Sequence, residues 1–198
     1  MDHINFSHTN QSITMSQTSA YLELIMGPMF SGKTSKLLDI YKQCKFCDIK
    51  VVIINHSSDT RYHETMLSSH DKVLAPCIML SKLEDCLAMK PVKTADVILI
   101  NEGQFFEDLY YSVVTMLNHD KKVYISGLDG DFERKKFGQI LDLVPLSDKI
   151  TKLSSLCSLC KDGTPGIFSM RLTDEKDQTV VGVSNYIPVC RKCYSSTF

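Results

Sequence analysis

The chain has 198 residues, room for one domain and a small appendage. Its apolar share of 43% supports a real core, and its net charge of −1 argues against nucleic acid as the main partner, since binding a phosphodiester backbone needs a basic face. No apolar run is long enough to cross a bilayer, so no membrane partner is expected.

Residues 1–20 are rich in Ser, Thr, Asn and Gln and lack the basic-then-apolar layout of a secretory signal. They read as a disordered tail whose His3 and His8 are solvated rather than metal-bound. Residues 21–155 read as an α/β nucleotide-binding domain and 156–198 as a small zinc-binding domain.

A short apolar run from Leu22 to Met26, with Glu23 interleaved, reads as a buried strand. Gly27, Pro28, Met29, Phe30, Ser31, Gly32, Lys33 and Thr34 then fit G-x-x-x-x-G-K-[ST], the phosphate-binding P-loop. Glycines let the backbone fold tightly, so that successive N–H groups face phosphate oxygens. The following helix sets its partly positive N-terminus at the same spot. Lys33 is expected to reach the β- and γ-phosphates of ATP, and the Thr34 hydroxyl to bind Mg²⁺. The strand–loop–helix context distinguishes this match from a plain βα turn.

Lys33 to Phe46 has helical spacing through Leu37, Tyr41 and Cys44. Cys44 and Cys47 form a C-x-x-C, but Cys44 is accounted for by the apolar face of that helix. Lys50 to Asn55 is a second strand. The polar loop from His56 to Lys72 carries Asp59, Thr60 and Arg61 and leaves the C-terminal end of a strand, where ligands bind in α/β sheets. Val73 to Leu80 is a weaker strand, interrupted by Pro76. Ser81 and Glu84 form a capping box opening a short helix that Pro91 ends. Asp96 to Ile100 is a strand apolar throughout, ending at Asn101, Glu102, Gly103 and Gln104.

Gln104 to His119 reads as one amphipathic helix with Phe105, Leu109, Val113 and Leu117 once per turn. Lys121 to Ser126 is the next strand. The glycine-bounded loop from Gly127 to Gly138 carries Phe132 and Phe137 among charges. It is either an exposed basic loop or a substrate loop at the strand ends. A last α/β segment spans Gln139 to Ser155. This alternation predicts an α/β fold: a parallel, RecA-like P-loop sheet with helices on both faces.

Of eight cysteines, four form Cys157-x-x-Cys160 and Cys190-x-x-Cys193, 29 residues apart. Four thiolates make a closed tetrahedral Zn²⁺ site, which is structural because no position is left for water. The segment between the pairs is rich in turn residues, with strand-like runs over 167–172 and 179–183. It is too short and polar for its own core, and zinc would supply the missing fold energy. Paired cysteines and a P-loop favour a reducing cytoplasm over a disulfide framework.

Gly27-PMFSGKT, Asp59-TRY, Glu102-GQFF, Leu128-DG-x-F, Phe137-G and the zinc pairs with Tyr186 occur in this order. In that combination the chain resembles the thymidine kinases of the cellular and poxvirus type, over roughly Tyr21 to Tyr194. The resemblance implies transfer of the γ-phosphoryl of ATP to the 5′-OH of thymidine, with deoxyuridine or deoxycytidine as further substrates left open. It implies Glu102 as general base, Lys33 and Arg61 as stabilisers of phosphoryl charge, and Asp59, Thr60, Asn101 and Gln104 around ATP and Mg²⁺. Met29, Phe105, Leu128, Phe132, Phe137 and Tyr186 would enclose the nucleoside, although Phe105 can also be read as core. Val180, Val181 and Gly182 would contact the base from a lasso between the zinc pairs. A homotetramer inhibited by dTTP is implied as well. Asn101 stands where the family usually has Asp, which predicts weaker Mg²⁺ binding. The competing reading is a P-loop ATPase whose zinc knuckle binds nucleic acid.

Overall fold

The computed structural model describes residues 19–59, 66–68, 74–175, 177–178 and 185–196. Strand β1 (Tyr21–Met26) leads through the P-loop into helix α1 (Lys33–Phe46), the span its apolar spacing predicts. β2 (Val51–His56) follows. β3 (Met66–Ser68) and β4 (Leu74–Pro76) form a small antiparallel pair, and β5 (Ile78–Leu80) runs parallel to β2. The single strand expected over 73–80 is therefore two strands in two sheets, broken just after Pro76, which cannot donate a ladder hydrogen bond.

Helices α2 (Glu84–Leu87) and α3 (Lys90–Thr94) replace the one short helix expected there. The Ser81–Glu84 capping box does not form. Instead Asp108, distant in sequence, accepts hydrogen bonds from the Leu83 and Glu84 backbone N–H groups at 3.1 and 2.7 Å. Pro91 does not end a helix but lies in the first turn of α3, where its missing N–H costs nothing.

β6 (Val97–Asn101) is buried along its whole length. A 3₁₀ turn (Gly103–Phe105) and helix α4 (Leu109–Leu117) stand where a continuous helix from Gln104 was expected. The buried stripe is Phe106, Leu109, Val113 and Met116; Phe105 drops out of it and is half-buried. β7 (Lys122–Gly127), a 3₁₀ helix (Ile140–Leu146) and β8 (Lys149–Lys152) complete the domain.

The main sheet has the order β5-β2-β6-β7-β1-β8, and every pairing in it is parallel. Alternation along β1 sends Leu22, Leu24 and Met26 into one core and Ile25 into the other. Phe106, Leu109, Val113 and Ile140 fill the first core; Leu37, Leu38, Ile40 and Cys44 of α1 fill the second. Covering both faces is what a parallel sheet of apolar strands requires.

After β8 come β9 (Ser155–Leu156), β10 (Pro165–Gly166), β11 (Phe168–Arg171), β12 (Tyr186–Val189) and α5 (Arg191–Ser195). β9 pairs with β10 and β11 with β12, both antiparallel. Among the described residues, no helix is long and apolar enough to cross a membrane.

Candidate active site

The loop between β1 and α1 carries two residues with left-handed backbone, Phe30 (φ 61°) and Gly32 (φ 81°). Such alternation turns backbone N–H groups toward one concavity, an anion nest. Inside it, Ser31 Oγ is buried without a hydrogen-bond partner, and the buried Lys33 donates to the Pro28 carbonyl at 2.7 Å. An orphaned hydroxyl beside a lysine and a helix N-terminus fits a polyphosphate.

At the neighbouring strand ends Asn55, Asp59, Asn101 and Ser126 are buried in one chain of polar side chains that reaches the half-buried Thr34. Asn101 Oδ1 accepts from Ser126 Oγ at 2.8 Å and from Thr34 Oγ1 at 3.4 Å. Asn101 Nδ2 donates to Asn55 Oδ1 (2.9 Å), and Asn55 Nδ2 donates to Asp59 Oδ2 (3.2 Å). The register of β2 against β6 puts Asn55 opposite Asn101. Thus Thr34 and Asp59, both sequence candidates, are joined through Asn101 and Asn55, with Ser126 also held on Asn101; the motif reading missed Asn55 and Ser126. The signal was present: each is a polar residue at the C-terminal end of an apolar strand.

Glu102 is half-buried and left-handed (φ 54°), a conformation costing a non-glycine residue about 1–2 kcal/mol. Gln104 Nε2 donates to Glu102 Oε2 at 2.7 Å, while Gln104 Oε1 accepts from the Leu128 N–H at 3.0 Å. One amide therefore ties the carboxylate to the 127–138 loop. The loop's bounding glycines permit this approach. A Cβ on Gly127 would lie 2.6 Å from Gln104 Oε1, and one on Gly138 (φ 60°) 2.1 Å from the Gln104 carbonyl oxygen. Beside them Phe105 meets Phe137 edge-on at 5.5 Å and His56 at 5.5 Å. His56 is buried, and desolvation holds its pKa below the ordinary value against the opposing pull of the Ser81 backbone, Glu102, Asp108 and Asp59.

The four paired cysteines place their sulfurs within 4.8 Å of one another. Cys160 Sγ lies 3.4 Å from Cys193 Sγ and 3.7 Å from Cys190 Sγ, close to the ~3.8 Å edge of a tetrahedron with Zn–S bonds of about 2.3 Å. Burial opposes ionisation of Cys157, but N–H groups of Cys160, Cys190 and Leu159 outweigh it and bring its pKa to about 6. Cys160 is pushed up to about 12 by its sulfur neighbours. A divalent cation relieves that crowding, so the donor set fits Zn²⁺.

The cysteine module leans on both halves of the site. Ser169 Oγ accepts the Met29 backbone N–H at 2.9 Å, and Tyr194, next to Cys193, donates to the Phe132 carbonyl at 2.6 Å. Gln178 donates to Asp131 at 2.8 Å, and Tyr186 is buried against Arg171. The loop is not net basic, since Asp129, Asp131 and Glu133 balance Arg134, Lys135 and Lys136, and of its phenylalanines Phe137 is buried and Phe132 half-buried against Arg171.

The thymidine kinase family description matches residues 20–194. The chain belongs to the thymidine kinase family. "Thymidine kinase 1" of Dictyostelium discoideum is 38% identical over 187 residues, covering 92% of this chain and 81% of that protein. The thymidine kinase of Sheeppox virus (strain KS-1) is 39% identical over 176 residues, covering 88% of this chain and 96% of the other. That of Variola virus (isolate Human/India/Ind3/1967) is 40% identical with the same coverage. In this family member the P-loop, Asp59, Asn101, Glu102, Gln104, Phe105, Leu128, Phe132, Phe137 and Tyr186 belong to described parts of the chain. Thr60, Arg61, Val180, Val181 and Gly182 lie outside the described residues. Ser169 and Asp131 were missed by the motif reading because a single contact to a distant segment leaves no local pattern, and Arg171 because most of its partners are backbone carbonyls.

Proposed function

We propose that the chain transfers the γ-phosphoryl of ATP to the 5′-OH of thymidine, giving dTMP as a salvage step toward DNA precursors. Family membership supports the reaction, and one observation carries the assignment of roles. Gln104 holds the Glu102 carboxylate on one side and the aromatic loop on the other, so base and acceptor pocket move together.

The loop N–H groups, Ser31 and Lys33 bind the triphosphate, the Thr34 hydroxyl would ligate Mg²⁺, and Asn101 would accept from a metal-bound water. Bound Mg²⁺ supplies charge neutralisation between the phosphates. Met29, Phe105, Leu128, Phe132, Phe137 and Tyr186 orient the nucleoside and exclude water. Glu102 takes the proton of the 5′-hydroxyl as that oxygen attacks. Arg61 and Lys33 stabilise charge on the transferring group, and Val180, Val181 and Gly182 contact the base. Cys157, Cys160, Cys190 and Cys193 hold a structural Zn²⁺ that fixes the substrate flap.

The division into a tail (1–20), a kinase domain (21–155) and a zinc domain (156–198) belongs to the same reading, as do a cytoplasmic location, a homotetramer and inhibition by dTTP. Limited proteolysis, cell fractionation, light scattering and a dTTP titration test these in turn.

The decisive experiment offers thymidine, deoxyuridine, deoxycytidine and DNA with ATP and Mg²⁺. Thymidine-dependent dTMP formation is expected, and DNA-stimulated hydrolysis without it would sink the reading. Glu102→Gln should lower kcat about 10²- to 10⁴-fold with ATP affinity retained. Turnover near the wild-type level would remove the general-base role.

A further inference from the structure

The tip of the 127–138 loop is a closed turn. Asp131 is buried, and its Oδ1 accepts the backbone N–H groups of Glu133 and Lys135, both at 2.9 Å. The Asp131 N–H donates to the Lys135 carbonyl at 2.9 Å, and the Arg134 N–H to the Asp131 carbonyl at 3.0 Å. Gly130 bridges Lys136 across the neck. The tip is therefore one braced unit, and its two arms both end on Gln104. The Leu128 N–H donates to the Gln104 side chain, and Gly138 packs against the Gln104 backbone. Gln104 in turn holds the Glu102 carboxylate.

Tyr194 grips this unit from the cysteine module. It is buried in α5 next to Cys193, and its N–H donates to the Cys190 carbonyl at 3.0 Å. The turn that carries it is thus the turn that brings Cys193 to Cys190. Its ring packs against Phe168 in the module, with centroids 5.4 Å apart. Two contacts leave the module from the same side chain. The hydroxyl donates to the Phe132 carbonyl at 2.6 Å, and the Arg134 guanidinium lies 4.3 Å from the ring centroid. Packing within the module needs the ring alone, whereas the bond to the loop needs the hydroxyl, so the two duties can be separated by one atom.

We propose that Tyr194 is a positioning residue that ties the 127–138 loop to the cysteine module, so that a metal held by the four cysteines sets the placement of that loop and, through it, the affinity for thymidine. The proposal rests on the thymidine kinase reading above and deepens it.

Tyr194→Phe keeps the ring and takes one donor from the Phe132 carbonyl. KM for thymidine should rise about five- to tenfold, while KM for ATP and zinc content stay within about twofold of wild type. Amide hydrogen exchange over residues 131–135 should accelerate in the zinc-loaded variant, while exchange over α1 and β11 does not. Removing zinc from wild type should speed exchange over the same residues, and should add less in Tyr194→Phe. Arg134→Gln removes the second contact without altering the module, and should raise thymidine KM about two- to fivefold. Unchanged exchange over 131–135, or an unchanged thymidine KM, in Tyr194→Phe overturns the tie. So does zinc loss or faster exchange over β11 in that variant, which would mean that the hydroxyl serves the module's own fold. If Tyr194→Phe does not fold, the same two readings in Arg134→Gln decide. If wild type phosphorylates no thymidine, the functional reading fails instead, and loop exchange with and without zinc still reports on the tie.

Discussion

The parallel sheet and the cysteine module are held together by different physics. Among the described residues, eighteen and eleven buried apolar side chains form the two cores of the sheet. The cysteine module has five, and two of those are Cys157 and Cys190. At about 1.5–3 kcal/mol for each fully buried large side chain, the sheet stands by burial alone. The module has no such reserve, and a metal in its four-cysteine site, worth about 10–16 kcal/mol, would replace the core it lacks. In the proposed function, the region that recognises the substrate is thus the one that depends on a bound ion.

Removing zinc breaks that comparison most severely. Chelation, or Cys160→Ser, should unfold β11, β12 and α5, and with them the Tyr194 and Ser169 contacts to Phe132 and Met29. Thymidine phosphorylation should fall by about a hundredfold or more while ATP still binds the sheet. The checks are zinc content, turnover and ATP affinity on one sample. Full turnover of metal-free protein would show that the module has a core of its own.

A smaller effect tests the sheet by itself. Asp108 accepts two backbone N–H groups from the start of α2. Asp108→Ala should cost about 1–2 kcal/mol in thermal unfolding and leave thymidine KM unchanged. Asp108→Asn should recover most of the loss. An Asp108→Ala protein melting with wild type would mean that solvent satisfies those donors.

Smaller again is the buried amide chain. Asn101→Asp would set a carboxylate oxygen against Asn55 Oδ1, where an N–H now donates. Asn55 must then turn its amide and release Asp59. A charged acceptor beside Thr34 is worth about 1 kcal/mol more than a neutral one, so half-saturation by Mg²⁺ should fall about fivefold while the melting temperature drops. Equal half-saturation in a Mg²⁺ titration would show that Asn101 does not serve the metal.

The same contrast explains what could be read from the chain alone. The sheet was legible because burial on both faces writes itself into continuous apolar runs: α1 spans Lys33–Phe46 as its spacing predicts. The cysteine site was legible because its chemistry requires a fixed spacing. Asp108 was illegible as the cap of α2, since a carboxylate 24 residues downstream competes with the local Ser81 and wins. Arg171 was illegible for a different reason: most of its partners are backbone carbonyls, which any sequence provides. Phe105 and Phe106 differ by one place, yet one packs half-buried against Phe137 and the other is core; the 3₁₀ turn that rotates them apart has no mark in the periodicity.

The smallest expected effect lies where the sheet's core meets the site. His56 packs edge-on against Phe106 at 4.7 Å and accepts the Ser58 N–H at Nδ1, at 3.1 Å. Desolvation depresses its folded pKa, so below about pH 6.5 the unfolded chain takes up the proton first. Stability from the neutral ring is therefore fully present above pH 6.5 and is lost as pH falls through the folded pKa. Glu102, Asp108 and Asp59 oppose the shift, which keeps the effect modest. Between pH 7.5 and 5.5 wild type should lose more melting temperature than His56→Gln, which has no ring to protonate. Parallel curves would place the acid sensitivity elsewhere. If the curves diverge, acid loosens the wall behind Phe105 before it reaches the rest of the sheet, and thymidine KM should rise over the same interval.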